Sequence, residues 1–169
     1  MPDATGLELL SQELSDRHAG AVLDAEHARG KGALLVEPAA IRAVLEELRA
    51  RGFTMLMSVH ALDYHPEEPR LGVQYELLDM RRLDRITVKL RVPSDAPEVP
   101  SVTPDWPTAE FQEREAYDHF GILFAGHPDL RRIHLPEDYE GHPGRRDFPI
   151  GGEPVLFTYN QHQGTDYTQ

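Results

Sequence analysis

The chain contains no cysteine. That absence excludes disulfides, thiolate nucleophiles and ligation of an iron–sulfur cluster through cysteine. No apolar run approaches the roughly 18 residues that a spanning helix needs. Positive charge is also scarce: 17 Lys and Arg stand against 29 Asp and Glu, a net charge of −12. A surface so acidic is repelled by nucleic-acid backbones and anionic membranes. The N-terminus lacks a basic and apolar secretory pattern, and Glu8, Glu13 and Asp16 do not belong in an Arg-rich transit peptide. Ser58, Ser94 and Ser101 sit in no Gly-x-Ser-x-Gly elbow. Arg29-Gly30-Lys31-Gly32 has neither phosphate-loop spacing nor a helix start behind it. What remains is a soluble, acidic, intracellular protein of 169 residues. That length suits one domain, burying roughly two-thirds of its unfolded surface with no help from disulfides or metal.

The first ninety-two residues read as an α+β core domain (1–92). Thr5 to Glu8 forms a capping box, Leu7, Leu10 and Leu14 recur at helical spacing, and Gly20 ends the segment. Ala21 to Glu26 and Ala33 to Val36 are strand candidates flanking the turn at Arg29-Gly30-Lys31-Gly32. Pro38 opens a second helix with the stripe Ile41, Val44, Leu45 and Leu48, and Gly52 closes it. Three runs then alternate with period two. Phe53, Met55, Met57 and Val59 point one way, as do Leu71, Val73, Tyr75 and Leu77, and then Ile86, Val88, Leu90 and Val92. Met55 and Met57 are therefore expected in the core. The pattern predicts a two-layer α+β sandwich, helices on a mixed, largely antiparallel sheet, followed by an extended C-terminal arm.

Composition changes after Val92. Pro93, Pro97, Pro100, Pro104 and Pro107 impose extended, irregular chain, yet Val99, Val102 and Trp106 imply that it lies against something. Thr108 can cap a short helix to about His119, stopped by Gly121, with Glu110, Arg114 and Asp118 one turn apart as an ion-pair ladder. Residues 93–150 thus form a Pro-rich segment, short helix and arm, and 151–169 an irregular tail. From Gly126 to Ile150 no period persists. Paired arginines beside Asp, Pro and aromatics suit planar contacts with a second surface, and long irregular loops equally serve active sites. The residues alone leave a protein-binding arm and an active-site loop as equal alternatives.

His119, His127, His134 and His142 recur at steps of eight, seven and eight, with Asp118, Asp129 and Asp138 nearby. Zinc-binding histidines come roughly three to five apart on one element, so no metal site is expected. Glu113, Glu115 and Asp118 could supply acid–base carboxylates, but Glu113 and Glu115 are about 200° apart on a helix. No catalytic residue is assigned.

One string is more specific than any of these motifs. Glu113-Arg114-Glu115-Ala116-Tyr117-Asp118-His119-Phe120-Gly121-Ile122 is followed by Gly126-His127-Pro128, Leu130-Arg131-Arg132, Gly141-His142-Pro143 and Arg145-Arg146-Asp147-Phe148-Pro149. It resembles the signature of the C-type subunits of bacterial NADH-quinone oxidoreductase, the thirty-kilodalton-type subunits of respiratory complex I. The resemblance is dense from Pro93 to Ile150 and looser through Asp63-Tyr64, Tyr75-Glu76-Leu77 and Arg85 to Val92. The short tail after Gly151 differs from forms fused to the next, larger subunit.

The resemblance implies an α+β domain followed by a signature-bearing arm. It implies a non-catalytic subunit of the peripheral arm, on the cytoplasmic side of the bacterial cell membrane. Family members of this kind dock on the D-type subunit, near the B-type and I-type subunits, and bind no cofactor; FMN and iron–sulfur clusters are held by partners. Arg114, Arg131, Arg132, Arg145, Arg146, Asp147 and Phe148 are then expected as contact or arm-organising residues. Two alternatives accompany this reading: the homologous subunit of a membrane-bound hydrogenase-type complex, and a metal-dependent hydrolase using the His/Asp-rich arm.

Overall fold

Alternating residues in the middle of the chain build the sheet. A computed structural model describes residues 4–149; the tail predicted over 151–169 lies outside them. Strands β4 (Leu71–Asp79) and β5 (Asp84–Val92) pair antiparallel, setting Val73 opposite Leu90, Tyr75 opposite Val88 and Leu77 opposite Ile86. All six are buried on one face. The opposite face is polar: Gln74 Nε2 and Thr87 Oγ1 donate to Glu76 at 2.7 and 3.0 Å. Strand β3 (Met55–Asp63) adds antiparallel to β4. Strand β2 (Lys31–Val36) runs parallel to β5, and β1 (Val22–Ala28) antiparallel to β2. The order is β1-β2-β5-β4-β3, with one parallel pair, because the chain crosses over between β2 and β5. The β1–β2 turn needs two left-handed residues, Arg29 at φ 52° and Gly30 at φ 73°. That geometry matches the right-handed twist of the flanking strands.

Helix α1 (Ala4–Arg17) buries Leu7, Leu10 and Leu14, and α2 (Ile41–Ala50) buries Ile41, Val44, Leu45 and Leu48. The apolar stripes predicted for both helices are those observed. Their caps differ. Thr5 lies inside α1 rather than capping it, and Pro38 starts a 3-10 turn ahead of α2. The fold class is the predicted one: α+β, with a mixed, largely antiparallel sheet.

One strand overturns its reading. In β3 the register slips between Leu56 and Ser58, so Leu56 faces Leu77 while Met57 is left over as a bulge. Leu56 and Val59 are buried, whereas Met55 and Met57 are 44% and 37% exposed. A bulge breaks period-two alternation, and the expected core positions of both methionines were wrong for that reason.

The core does not stop at Val92. Strand β6 (Glu98–Pro100) pairs parallel with β7 (Leu123–Ala125), and Val99, Val102, Trp106, Ile122 and Phe124 join the cluster of the main sheet. The proline-rich stretch lies against the domain, as its apolar residues required. Between β6 and β7 runs α3 (Glu110–Phe120). A 3-10 turn over Pro107–Ala109 leads into it, so Thr108 does not cap it. Gly121 ends it in the left-handed conformation, φ 72°.

The C-terminal arm as a candidate partner-binding surface

Helix α3 is unusual in burying charge: Glu113, Arg114 and Asp118 are all buried. The predicted ladder through Glu110, Arg114 and Asp118 does not form. Asp118 instead turns to the arm, which folds back over the helix end. Its Oδ2 accepts the backbone N–H groups of Ile133, His134 and Leu135 at 3.1, 2.8 and 2.9 Å. Its Oδ1 accepts Arg132 Nη1 at 2.8 Å. Burial pushes the Asp118 carboxyl up, but the Leu135 N–H, the Arg132 guanidinium and the other two N–H groups outweigh it and hold the pKa down to about 2. One carboxylate thus shapes a strand-free turn that no local periodicity could specify.

Arginines complete the lock by spending their donors on carbonyls. Arg132 Nη2 reaches Tyr139 O at 2.7 Å and Gly141 O at 3.0 Å. Arg114 donates to Arg131 O and Arg132 O at 3.2 and 3.1 Å, and Arg145 to Phe120 O at 2.8 Å. His142 Nδ1 donates to Asp118 O at 3.0 Å. Close approach explains the glycines. A Cβ on Gly121 would lie 2.5 Å from His142 Nε2, and one on Gly144 would lie 2.8 Å from His119 O. Phe148 packs on Gly141 and stacks on Tyr139, ring centroids 6.3 Å apart.

A second clamp ties the end of the arm to the β3–β4 loop. Buried Arg70 grips Asp63 through Nε and Nη2 at 2.9 and 2.7 Å. The same guanidinium grips Asp147 through Nη1 and Nη2 at 2.7 and 2.6 Å. Arg146 N–H donates to Asp63 at 2.8 Å, and its side chain reaches His65 O at 3.0 Å. Asp63 titrates well below the usual carboxylate range, held there first by the Arg70 guanidinium. Two bidentate carboxylates on one Arg are the strong form of this interaction.

Glu113 behaves differently. It is fully buried, accepting Ser101 Oγ at 2.7 Å and Val102 N–H at 2.8 Å, which pins the Pro-rich segment to α3. With no cation bonded to it, burial pushes its pKa up despite those two bonds.

Of the predicted residues, the fold brings Arg114, Asp118, Phe120, Gly121, Arg132, Gly141, His142 and Arg145 together around the end of α3. Asp147 and Arg146 fall on the second clamp. Arg131 stays outside, 61% exposed and paired with exposed Asp129 at 2.8 Å. Glu115, Gly126 and Pro128 are exposed, Pro143 is half-buried, and His127 bonds Glu110 O at 3.1 Å. The four histidines do not share a site. His127 and His142 go to separate carbonyls, while His119 and His134 meet with ring centroids 5.5 Å apart. Arg70 and Ser101 were missed. Opposite charges at the two ends of a hairpin loop, Asp63 and Arg70, were a readable signal; nothing local marked Ser101.

Fold and site together define an α+β domain whose terminal arm is held in one shape by mutually satisfied charges. Comparison with known proteins says which kind. The family model described as respiratory-chain NADH dehydrogenase, 30 Kd subunit, matches residues 34–154. The NADH-quinone oxidoreductase C-type subunit of Roseiflexus sp. (strain RS-1) is 43% identical over 164 residues, 95% of this chain and 92% of that protein. The protein of the same name from Methylobacterium sp. (strain 4-46) is 43% identical over 161 residues, 94% and 74% of the two chains. Among solved structures, a trypsin-resistant fragment (1-134) of Nqo5 aligns at TM-score 0.63 and 33% identity, covering 72% of this chain and 98% of that one. A chain of the membrane-bound sulfane sulfur reductase, an archaeal respiratory membrane complex, shares the fold at TM-score 0.72 and 24% identity, covering 98% and 95%. The chain belongs to the family of the 30 Kd subunit of respiratory-chain NADH dehydrogenase.

Proposed function

We propose that the chain is a non-catalytic subunit of the peripheral arm of a proton-translocating NADH:quinone oxidoreductase, on the cytoplasmic side of the cell membrane. It docks on the D-type subunit, near the B-type and I-type subunits. FMN and iron–sulfur clusters belong to those and other partners, and the chain helps hold them in register for electron flow from NADH to quinone. The observation that carries this is the 43% identity to a C-type subunit along 95% of the chain. Two further observations support it. A chain without cysteine cannot ligate a cluster through thiolate. Among the described residues, no helix is long and apolar enough to cross a membrane.

The geometry suits docking because the ordering cost of the arm is met during folding, not on association. Arg114, Arg132, Arg145 and Asp147 organise the arm from within. Arg131 and Arg146, left exposed, face the partner, and half-buried Phe148 serves as the apolar anchor.

The test is an affinity tag on this chain in its native host, followed by native gels and mass spectrometry. Co-purification with the B-type, D-type and I-type subunits, and loss of NADH:quinone turnover on deletion, is the expected result. Recovery with hydrogenase subunits instead, or turnover of a substrate by the lone chain, would overturn it. An Arg145/Arg146 double alanine variant that assembles fully and turns over normally would remove the role of that pair.

A further inference from the structure

Folding the arm back over α3 produces a constellation that linear spacing hid. Glu115 and His119 are four residues apart on α3, so they share a face. His134 reaches them from the arm. The potential donor atoms, one from each side chain, all lie within 4.8 Å of one another. We propose that Glu115, His119 and His134 form a binding site for a zinc-class divalent transition ion, which clasps the arm to α3.

Five features of the site support this. Two imidazoles and one carboxylate are the donor set of three-ligand zinc sites with an open fourth position. Tetrahedral bonds of about 2.0–2.1 Å set donors roughly 3.4 Å apart, so side-chain rotations of about an ångström close the triad. The backbone beneath it is fixed: His134 N–H is held by Asp118 at 2.8 Å, and His119 O accepts Gly144 N–H at 2.9 Å. None of the three side chains has a hydrogen bond to another described residue, so no bond among the described residues must break for a metal to enter. Beside Glu115 and His119 opens a cavity of about 100 Å³, also lined by His60. It has room for the waters that would complete the coordination sphere. The ion would bridge residues 15 apart in sequence, His119 and His134, and so stabilise the folded-back arm by mass action. Linear spacing argued against a metal because it compared histidines on one element; this set needs two.

The experiment uses the untagged full-length chain, stripped with chelator and titrated with zinc by calorimetry and with cobalt by visible absorption. One ion per chain is expected. Glu115→Gln, His119→Asn and His134→Asn should each weaken binding tenfold or more, while His27→Asn on β1 leaves it unchanged. Zinc should also slow trypsin cleavage after Arg131 and Arg132 in the parent chain and not in the His119→Asn/His134→Asn double variant. All three side chains lie at or near the surface, and a circular-dichroism melt of each apo variant verifies folding. Failure of zinc to bind stoichiometrically, undiminished affinity in the double variant, or unchanged trypsin cleavage would each overturn the clasp. Because the readouts are metal affinity and proteolysis, they are independent of whether the chain assembles into a respiratory complex.

Discussion

Asp118→Asn should unlock the arm while leaving the sheet intact. The substitution preserves volume and one carbonyl oxygen. If that oxygen keeps the N–H groups of Ile133, His134 and Leu135, the new amide faces Arg132 donor against donor. Breaking a buried ion pair costs roughly 3–5 kcal/mol. Here the guanidinium keeps bonds to Asp118 O, Tyr139 O and Gly141 O, and its side chain is 13% exposed, so solvent screens part of that. An independent figure comes from titration. A carboxyl lowered from 3.8 to about 2 contributes about 2 kcal/mol at neutral pH, less for screening. The expected loss is therefore about 1–2 kcal/mol, read as a shift in the urea midpoint at pH 7. The sign of the pH dependence follows from the depressed folded pKa. The stabilisation is present above the unfolded pKa and is lost as pH falls toward about 2. The gap between parent and variant should thus close between about pH 4 and about pH 2. A gap under about 0.5 kcal/mol at pH 7, or one that persists unchanged in acid, would refute Asp118 as the organiser of the arm.

The other expectations use the same measurements. Arg70→Leu strands the buried Asp63 carboxylate and should cost about 3–5 kcal/mol, whereas Asp147→Asn, on the half-exposed partner, should cost under about 1 kcal/mol; equal losses would deny the asymmetry. Glu113→Gln should gain stability over the parent as pH rises. A carboxyl whose folded pKa is raised loses its contribution as pH climbs from the unfolded pKa through the folded one, so urea midpoints that stay parallel from about pH 4 to about pH 8 would contradict this. Gly126→Ala and Gly121→Ala both place a side chain at positive φ, about 1–2 kcal/mol. Only at Gly121 does the new Cβ also strike His142 and Arg145, so its melting temperature should fall at least twice as far.

How much was legible depends on the range of the interaction. Helices α1 and α2 announced themselves because an apolar stripe at period 3.6 needs only neighbours a turn away. The alternation of β4 and β5 did so for the same reason at period two. The β3 bulge is set by pairing with β4, and the alternation flips across it, so that Leu56 before it and Val59 after it share the buried face. Reading the strand alone therefore misplaced Met55 and Met57.

The helical stripes, the strand alternation and the ordered signature determined the class of fold and the family, while length, charge and the absence of cysteine only narrowed the choice. Those are properties of residue identity and short-range order. Tertiary structure decided which charge meets which. Asp118 finds Arg132 fourteen positions on, Arg70 finds Asp147 seventy-seven positions on, and Arg114 bonds carbonyls where carboxylates were expected. Coulomb attraction and hydrogen bonding are blind to sequence separation, and only the path of the folded chain brings such groups within 3 Å or so of each other.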